Sequence, residues 1–310
     1  MKALKSFLVP FKGFVIGSSM TVPGVSGGTM AILLGIYDQL IGAISHFGKA
    51  PKKNLLFLLK FCVGAVIGFA ALASAIGWLL ATFPIPVSLF FLGAIIGGVP
   101  ALYRKTRVSK FTVSSAVYIL LGFVIVIGIG ILPQGLMPSS TDLNLVSLLI
   151  WLLAGVVVAL ALVLPGISTS HMLLVLGIYG TLSGSIDTVA LWVKTLIKQL
   201  LGDGGVSAAS VGIGEAFTFI GLLGVSTLVG VVLITRPLEW TMKKFPHQTY
   251  CMILGFVVGS LADIAVDIVW PALQVEATLT YWLLTAVASV VTAAAGFAGI
   301  LFLSRFSDEE

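Results

Sequence analysis

From Leu55 onward almost every window of about twenty residues in this chain is apolar enough to cross a lipid bilayer. No polar run exceeds roughly fifteen residues, which leaves no room for a soluble domain between the apolar segments. Of the 310 residues 58% are hydrophobic and only 9% are charged, where a soluble domain carries about a quarter charged. The chain is therefore expected to be an all-α polytopic membrane protein. Met1 to Lys12 is basic, but no small-residue cleavage site follows, so no cleavable signal peptide is expected. Cys62 and Cys251 both fall in apolar segments and read as small buried hydrophobes rather than as a disulfide or metal ligands. No cofactor and no metal site is expected. The net charge of +5 is not a nucleic-acid signal; its distribution carries orientation instead.

Basic residues cluster at Lys2, Lys5 and Lys12; at Lys49, Lys52 and Lys53; at Arg104, Lys105, Arg107 and Lys110; at Arg236, Lys243 and Lys244; and at Arg305. The positive-inside rule places all of these in the cytoplasm, together with both termini. The intervening stretches, "FPIP" from Phe83, "PQGLMPSSTDLN" with Asp142, and "DIVWPALQVEAT" with Asp267 and Glu276, are poor in basic residues and read as outside. Lys194 and Lys198 dissent, on a short amphipathic run expected to be an interfacial helix at 189–201. Since Lys12 and Lys49 share a side, residues 13–47 must enter the membrane and return. Spans are then expected at 54–81, 87–103 and 112–132, a second hairpin at 145–182 from the outer face, and spans at 211–235, 247–270 and 279–304.

The chain also repeats itself. "TVPGVSGGTMAILLGIY" begins at Thr21 and "LVLPGISTSHMLLVLGIY" at Leu162. Pro23 and Pro165 lie 142 positions apart (165 − 23), and Gly35 with Gly177 and Tyr37 with Tyr179 keep that offset. Trp78 with Trp240, Gly93 with Gly255 and Gly97 with Gly259 are 162 apart (240 − 78), which implies an insertion of twenty residues. The expected organisation is two units, 1–137 and 138–310, each a re-entrant or broken helical hairpin plus three transmembrane helices. Three crossings are odd, so the second unit starts on the opposite face and the repeats are inverted, the usual architecture of alternating access.

Each hairpin breaks at a Pro-Gly pair, Pro23-Gly24 and Pro165-Gly166, and then presents small polar residues: Ser26, Gly27, Gly28 and Thr29 in the first, Ser168, Thr169, Ser170 and His171 in the second. A helix restarting there has N–H groups without intrahelical partners and a partial positive charge. Glycine lets a ligand approach the backbone, and hydroxyls add donors without bulk. Two such ends meeting near the midplane suit an anion, a phosphate or a carboxylate. The competing reading is that Ser and Thr cap helices and Gly permits tight packing. His171 is a packing residue or a donor and proton carrier. Lys60 either snorkels to the interface or faces the cavity. Asp38, Glu215, Asp263 and Asp267 lie near predicted span ends and read as solvated interface residues.

The "PG-x-S" tips resemble a motif of undecaprenyl-pyrophosphate phosphatases, which share inverted repeats and re-entrant hairpins. In that family an arginine follows the serine, and a glutamate-rich motif sits on a neighbouring helix. Here Gly27 and Thr169 stand in the arginine's place and no Glu pair falls in a predicted membrane segment. Phosphoryl transfer would lack its charge and its base, so the chain reads as a transporter and not an enzyme. "MTVPGVSGGTMAILLGIYDQLI", with the lysine-rich loop after it and the second "LPGIS" tip, is similar to the PopT-type polyprenyl-phosphate translocase family. That resemblance covers essentially the whole chain. It implies a carrier in the bacterial cytoplasmic membrane that returns undecaprenyl phosphate from the outer to the inner leaflet for cell-envelope polymer synthesis. Moving an anion inward against an inside-negative potential needs compensation, so protons or sodium are expected as coupling ions. A transporter of a small soluble anion remains the alternative reading; the two differ in whether the groove opens sideways to lipid.

Overall fold

The computed structural model describes residues 2–22, 24–106, 112–137, 144–201 and 212–305. Pro23, Arg107, Lys110 and Asp142 lie outside the described residues. Those described are helical, without strands. In chain order they form α1 (Lys2–Ser19), α2 (Gly27–Leu33), α3 (Tyr37–Ser45), α4 (Pro51–Thr82), α5 (Pro84–Lys105), α6 (Val113–Gly130), α7 (Leu145–Val163), α8 (Thr169–Leu176), α9 (Tyr179–Leu200), α10 (Ile213–Lys244), α11 (Pro246–Ile264), α12 (Trp270–Leu273) and α13 (Leu279–Arg305). Seven stretches among them are long and apolar enough to cross a membrane: α4, α5, α6, α7, α10, α11 continued through α12, and α13. The protein is a multi-pass helical membrane protein.

Local sequence accounts for the ends. Proline opens α4, α5 and α11, where its missing N–H costs nothing. Phe83 and Phe245 alone join α4 to α5 and α10 to α11, and each packs edge-on against the tryptophan five residues earlier, Trp78 or Trp240. "FPIP" is thus a one-residue joint entering a helix, not a loop. Pro271 cannot donate to the carbonyl of Asp267, and the helix answers with a π-turn over Ala265–Val269.

Two helix pairs are sharply bent, α2 against α3 by 115° and α8 against α9 by 106°. The repeated "LGIY" explains both. Gly35 N–H donates to Ile32 O and Ile36 N–H to Ala31 O; Gly177 N–H donates to Leu174 O and Ile178 N–H to Leu173 O. This is the Schellman pattern, with glycine at positive φ (66° and 79°) ending the helix so that the next begins at the tyrosine. No proline follows Gly177 before Leu200, so α9 continues as one helix. The separate interfacial helix expected at 189–201 is instead the far end of α9, which starts at Tyr179. The amino-terminal basic segment is likewise helical: α1 starts at Lys2 and runs through Pro10.

Contacts cluster into two packing units. One holds residues 1–131, 161–168 and 234–310, the other 132–160 and 169–233. In the first, α1 packs on α4, α5 on α13 and α11 on α6. Glycines set these approaches. A Cβ at Gly93 would collide with the carbonyl of Ala293, at Gly296 with that of Phe90, at Gly255 with that of Ile119 and at Gly122 with that of Met252. Apolar side chains gain little from leaving lipid for one another, so close backbone approach supplies the packing. Cys62, expected to be buried, is exposed on α4, because an apolar side chain of a spanning helix meets lipid as well as it meets protein; Cys251 is buried. In the second unit Gly155 admits Ser226, Trp151 stacks edge-on with Phe219 at 5.0 Å, and the amides of Gly135, Leu136 and Met137 donate to the carbonyls of Leu174, Val175 and Leu176 that end α8.

Candidate functional site

The first break is built by hydroxyls turning back on their own helix. Ser18, Ser19 and Thr21 donate to the carbonyls of Val15, Ile16 and Ser18 at 3.0, 2.7 and 2.7 Å, satisfying the end of α1. The chain turns through Gly24 at φ 80°, a left-handed conformation that favours glycine, and Val25 N–H closes the turn on Val22 O. Ser26 then stands at the N-cap of α2 in extended conformation (φ −86°, ψ 135°).

Ser26 does not cap. Its hydroxyl makes no bond to the first turn, is 2% exposed, and has no hydrogen-bond partner. A buried hydroxyl without a partner costs about 1–3 kcal/mol. The reading in which Ser26 merely caps the helix therefore fails. Thr29, fully buried one turn on, does have a partner: its Oγ1 accepts from Gly166 N–H at 2.8 Å. Gly28 lies against Pro165, whose Cα would be 3.1 Å from a Cβ placed there. Tyr37, at the start of α3, donates its hydroxyl to Val163 O at 2.7 Å, tying the second bend to the end of α7. The two Pro-Gly regions, 137 residues apart at Thr29 and Gly166, are thus in direct contact inside the first packing unit.

Of the residues singled out by sequence, Gly24, Ser26, Gly28, Thr29, Pro165 and Gly166 are buried in this unit, and Gly27 is half-buried, with Met20 Sδ 3.0 Å from where its Cβ would be. Ser168 is also buried there and is engaged. Thr169, Ser170 and His171 open α8 in the second unit and are half-buried. Lys60 is half-buried on α4. Among the described residues no group of three His, Cys, Asp or Glu could hold a metal ion.

Sequence reasoning missed three features. Lys12, grouped with the flanking cations, is 5% exposed and is the buried member of the lysines and arginines described. Asp38 is exposed, as expected, yet it is also the hub of a cluster: Lys105 Nζ lies 2.6 Å from it, Tyr250 OH donates to it at 3.1 Å, and the ammonium sits 5.7 Å from the Tyr250 ring centroid. Glu239 joins the end of α3 to α10, meeting His46 Nδ1 at 3.0 Å, Lys243 at 2.5 Å and the Ser45 hydroxyl. Only a grouping of rare charges across distant sequence would have signalled these.

Multiple apolar spans, two sharply bent helix pairs and a buried polar tip define a polytopic helical membrane protein with irregular backbone inside its packed core. The undecaprenyl phosphate translocase-like family (VCA0040-like) matches residues 16–282, and the chain belongs to that family. It is similar to the polyprenyl-phosphate transporter of Vibrio cholerae serotype O1, 31% identical over 286 residues covering 87% of this chain and 79% of the relative. It is also similar to the polyprenyl-phosphate transporter of Staphylococcus aureus, 32% identical over 307 residues covering 96% of each. No solved structure matches the chain.

Proposed function

We propose that this protein is a carrier of undecaprenyl phosphate, moving the lipid from the outer to the inner leaflet of a bacterial cytoplasmic membrane for reuse in envelope polymer synthesis. The membership of the family and the two relatives named as polyprenyl-phosphate transporters support the cargo and speak for a transporter rather than an enzyme. The observation that carries the site is the buried, partnerless hydroxyl of Ser26 beside the Gly28–Pro165 and Thr29–Gly166 contacts. The proposed headgroup residues are Ser26, Gly27, Gly28, Thr29 and Ser168 of the first unit, with Lys60 as an outlying contact; the repeated sequence motif adds Thr169, Ser170 and His171.

Inverted repeats, 1–137 and 138–310, underlie the carrier reading. Their support is now finer than matched letters. Gly24 and Gly166, and Gly35 and Gly177, share positive φ at an offset of 142 (166 − 24). Gly93 meets Ala293 while Gly255 meets Ile119, and Gly97 meets Phe297 while Gly259 meets Phe123. Each first partner advances by 162 (255 − 93) and each second by 174 (293 − 119), so these two contacts of one half map onto two of the other.

A phosphomonoester carries about −1.5 to −2 charges near neutral pH, with a second pKa near 6. Its tail is at home in lipid; its headgroup pays several kcal/mol at bilayer depth. Inward movement against an inside-negative potential costs roughly 2.3 kcal/mol per charge per 100 mV, so the cycle needs compensation, here proposed to be protonation of the headgroup, with sodium as the other coupling ion. The distribution of lysine and arginine supports cytoplasmic termini. The test is leaflet-resolved transport of labelled undecaprenyl phosphate in proteoliposomes by wild type, Ser26→Ala, Ser168→Ala and His171→Ala. Loss of transport is expected in the variants; normal flipping in all three makes the tips structural. Transport indifferent to an imposed pH gradient removes the proton.

A further inference from the structure

Between α1, α4, α5 and α13, all within the first packing unit, lies an open cavity of about 470 Å³. Phe14, Ile76, Phe91 and Ile300 are among the side chains that line it, with Met30 of α2 as one wall. Ser18 and Ser19 also face it, but their hydroxyls are bonded to their own helix, so the lining is apolar in effect. Met30 follows Thr29 directly, which sets the cavity against the same short helix as the proposed headgroup tip. A second cavity, about 260 Å³, lies alongside, lined by Phe7, Phe11, Lys12, Leu34 and Phe302. The two share Val15 and Leu303, so they form one groove along α1 and α13.

Among the described residues that line it, the groove has one charge, the Lys12 ammonium. Lys12 is engaged within the protein, and its ammonium is a three-donor group able to meet more than one acceptor. A long apolar trough with a single buried cation complements an amphiphile with a hydrocarbon chain and an anionic head. We propose that the groove takes the isoprenoid chain of the transported polyprenyl phosphate, and that Lys12 is a station for its phosphate distinct from the Ser26 tip; the occupant, though not the groove, rests on the transport function proposed above. The groove favours access from lipid, since an apolar trough beside the site suits a hydrocarbon chain better than a soluble anion.

Photocrosslinking decides it. The full chain is reconstituted in vesicles with a polyprenyl phosphate bearing a diazirine in its isoprenoid chain, irradiated, and its adducts mapped by mass spectrometry. Adducts are expected on the segments holding Phe14–Val15 and Ile300–Leu303, suppressed by excess unlabelled undecaprenyl phosphate and not by equal phosphatidic acid. Lys12→Gln should lower labelling about tenfold at limiting lipid, the loss of one charge-assisted bond, and Val15→Phe should lower it at an unchanged melting temperature. Adducts scattered over the outer faces of α6 and α10, or equal competition by phosphatidic acid, overturn the groove; unchanged labelling in Lys12→Gln overturns the lysine's part. Transport measured in the same vesicles separates the two readings. Transport with adducts elsewhere sinks the groove alone, and groove adducts without transport sink the function alone.

Discussion

At the scale of single residues, hydrogen-bond partnering and not burial separates a hydroxyl that holds the fold from one proposed to serve a ligand. Ser26 and Thr29 are three positions apart and both buried, yet Thr29 accepts a backbone bond and Ser26 accepts none. Thr29→Val should strand the Gly166 N–H and cost about 1–3 kcal/mol, read as a lower melting temperature in detergent, while Thr29→Ser should restore most of it. Ser26→Ala should leave the melting temperature unchanged or raise it, because it deletes a desolvated hydroxyl, and yet lower transport. A Ser26→Ala protein that melts early and transports normally would reverse that assignment. Gly166 is constrained twice over, by φ of 83° and by the carbonyl of Phe256 where a Cβ would stand. The motif letters at both tips were legible in sequence. The unequal duties of neighbouring hydroxyls were not, since they depend on which backbone groups arrive from 137 residues away.

At the scale of elements, the same small residues are interchangeable in composition and sharply different in consequence. Gly93 and Gly255 sit where their helices touch a partner backbone, whereas Gly77 on α4 has open space where a Cβ would be. Gly93→Ala and Gly255→Ala should both be destabilising, by about 1–3 kcal/mol as backbone clashes force the helices apart, and by similar amounts because they occupy equivalent contacts. Gly77→Ala should be neutral or stabilising by up to about 1 kcal/mol, the helix-propensity difference. Thermal unfolding of the three variants in one detergent checks the order. Helix positions followed from apolar length, and the Schellman ends from "LGIY". The merging of the amphipathic run into α9 did not follow, because a composition change looks like a boundary even where no residue breaks the helix.

At the scale of the whole molecule, the proposed inverted topology makes a directional prediction. Single cysteines introduced by Lys52→Cys and Lys243→Cys, in a background lacking Cys62 and Cys251, should react with an impermeant thiol reagent from one side of the membrane. Those introduced by Gln134→Cys and Gln274→Cys should react from the other. Labelling of Gln134→Cys and Lys52→Cys from the same side would remove the inversion and with it the two-state carrier. The pairing of His46 with Glu239 is consistent with the first half of the expectation, since it ties the segment before Lys52 to the helix that carries Lys243.

The sequence alone determined that this chain lives in a membrane, that it is helical, where its helices break, and which family it resembles. The first three follow from backbone hydrogen bonding and hydropathy, which act over a few neighbouring residues; the resemblance rests on the letters of the two Pro-Gly motifs. Tertiary structure decided that Lys12 is buried beside an apolar groove, that Asp38 gathers Lys105 and Tyr250, and that the first Pro-Gly region closes on the second. In a soluble helix a polar face would have announced the buried side; here lipid accepts apolar side chains all round, the face of a helix leaves little trace in its spacing, and only the packing of one backbone on another selects the neighbours.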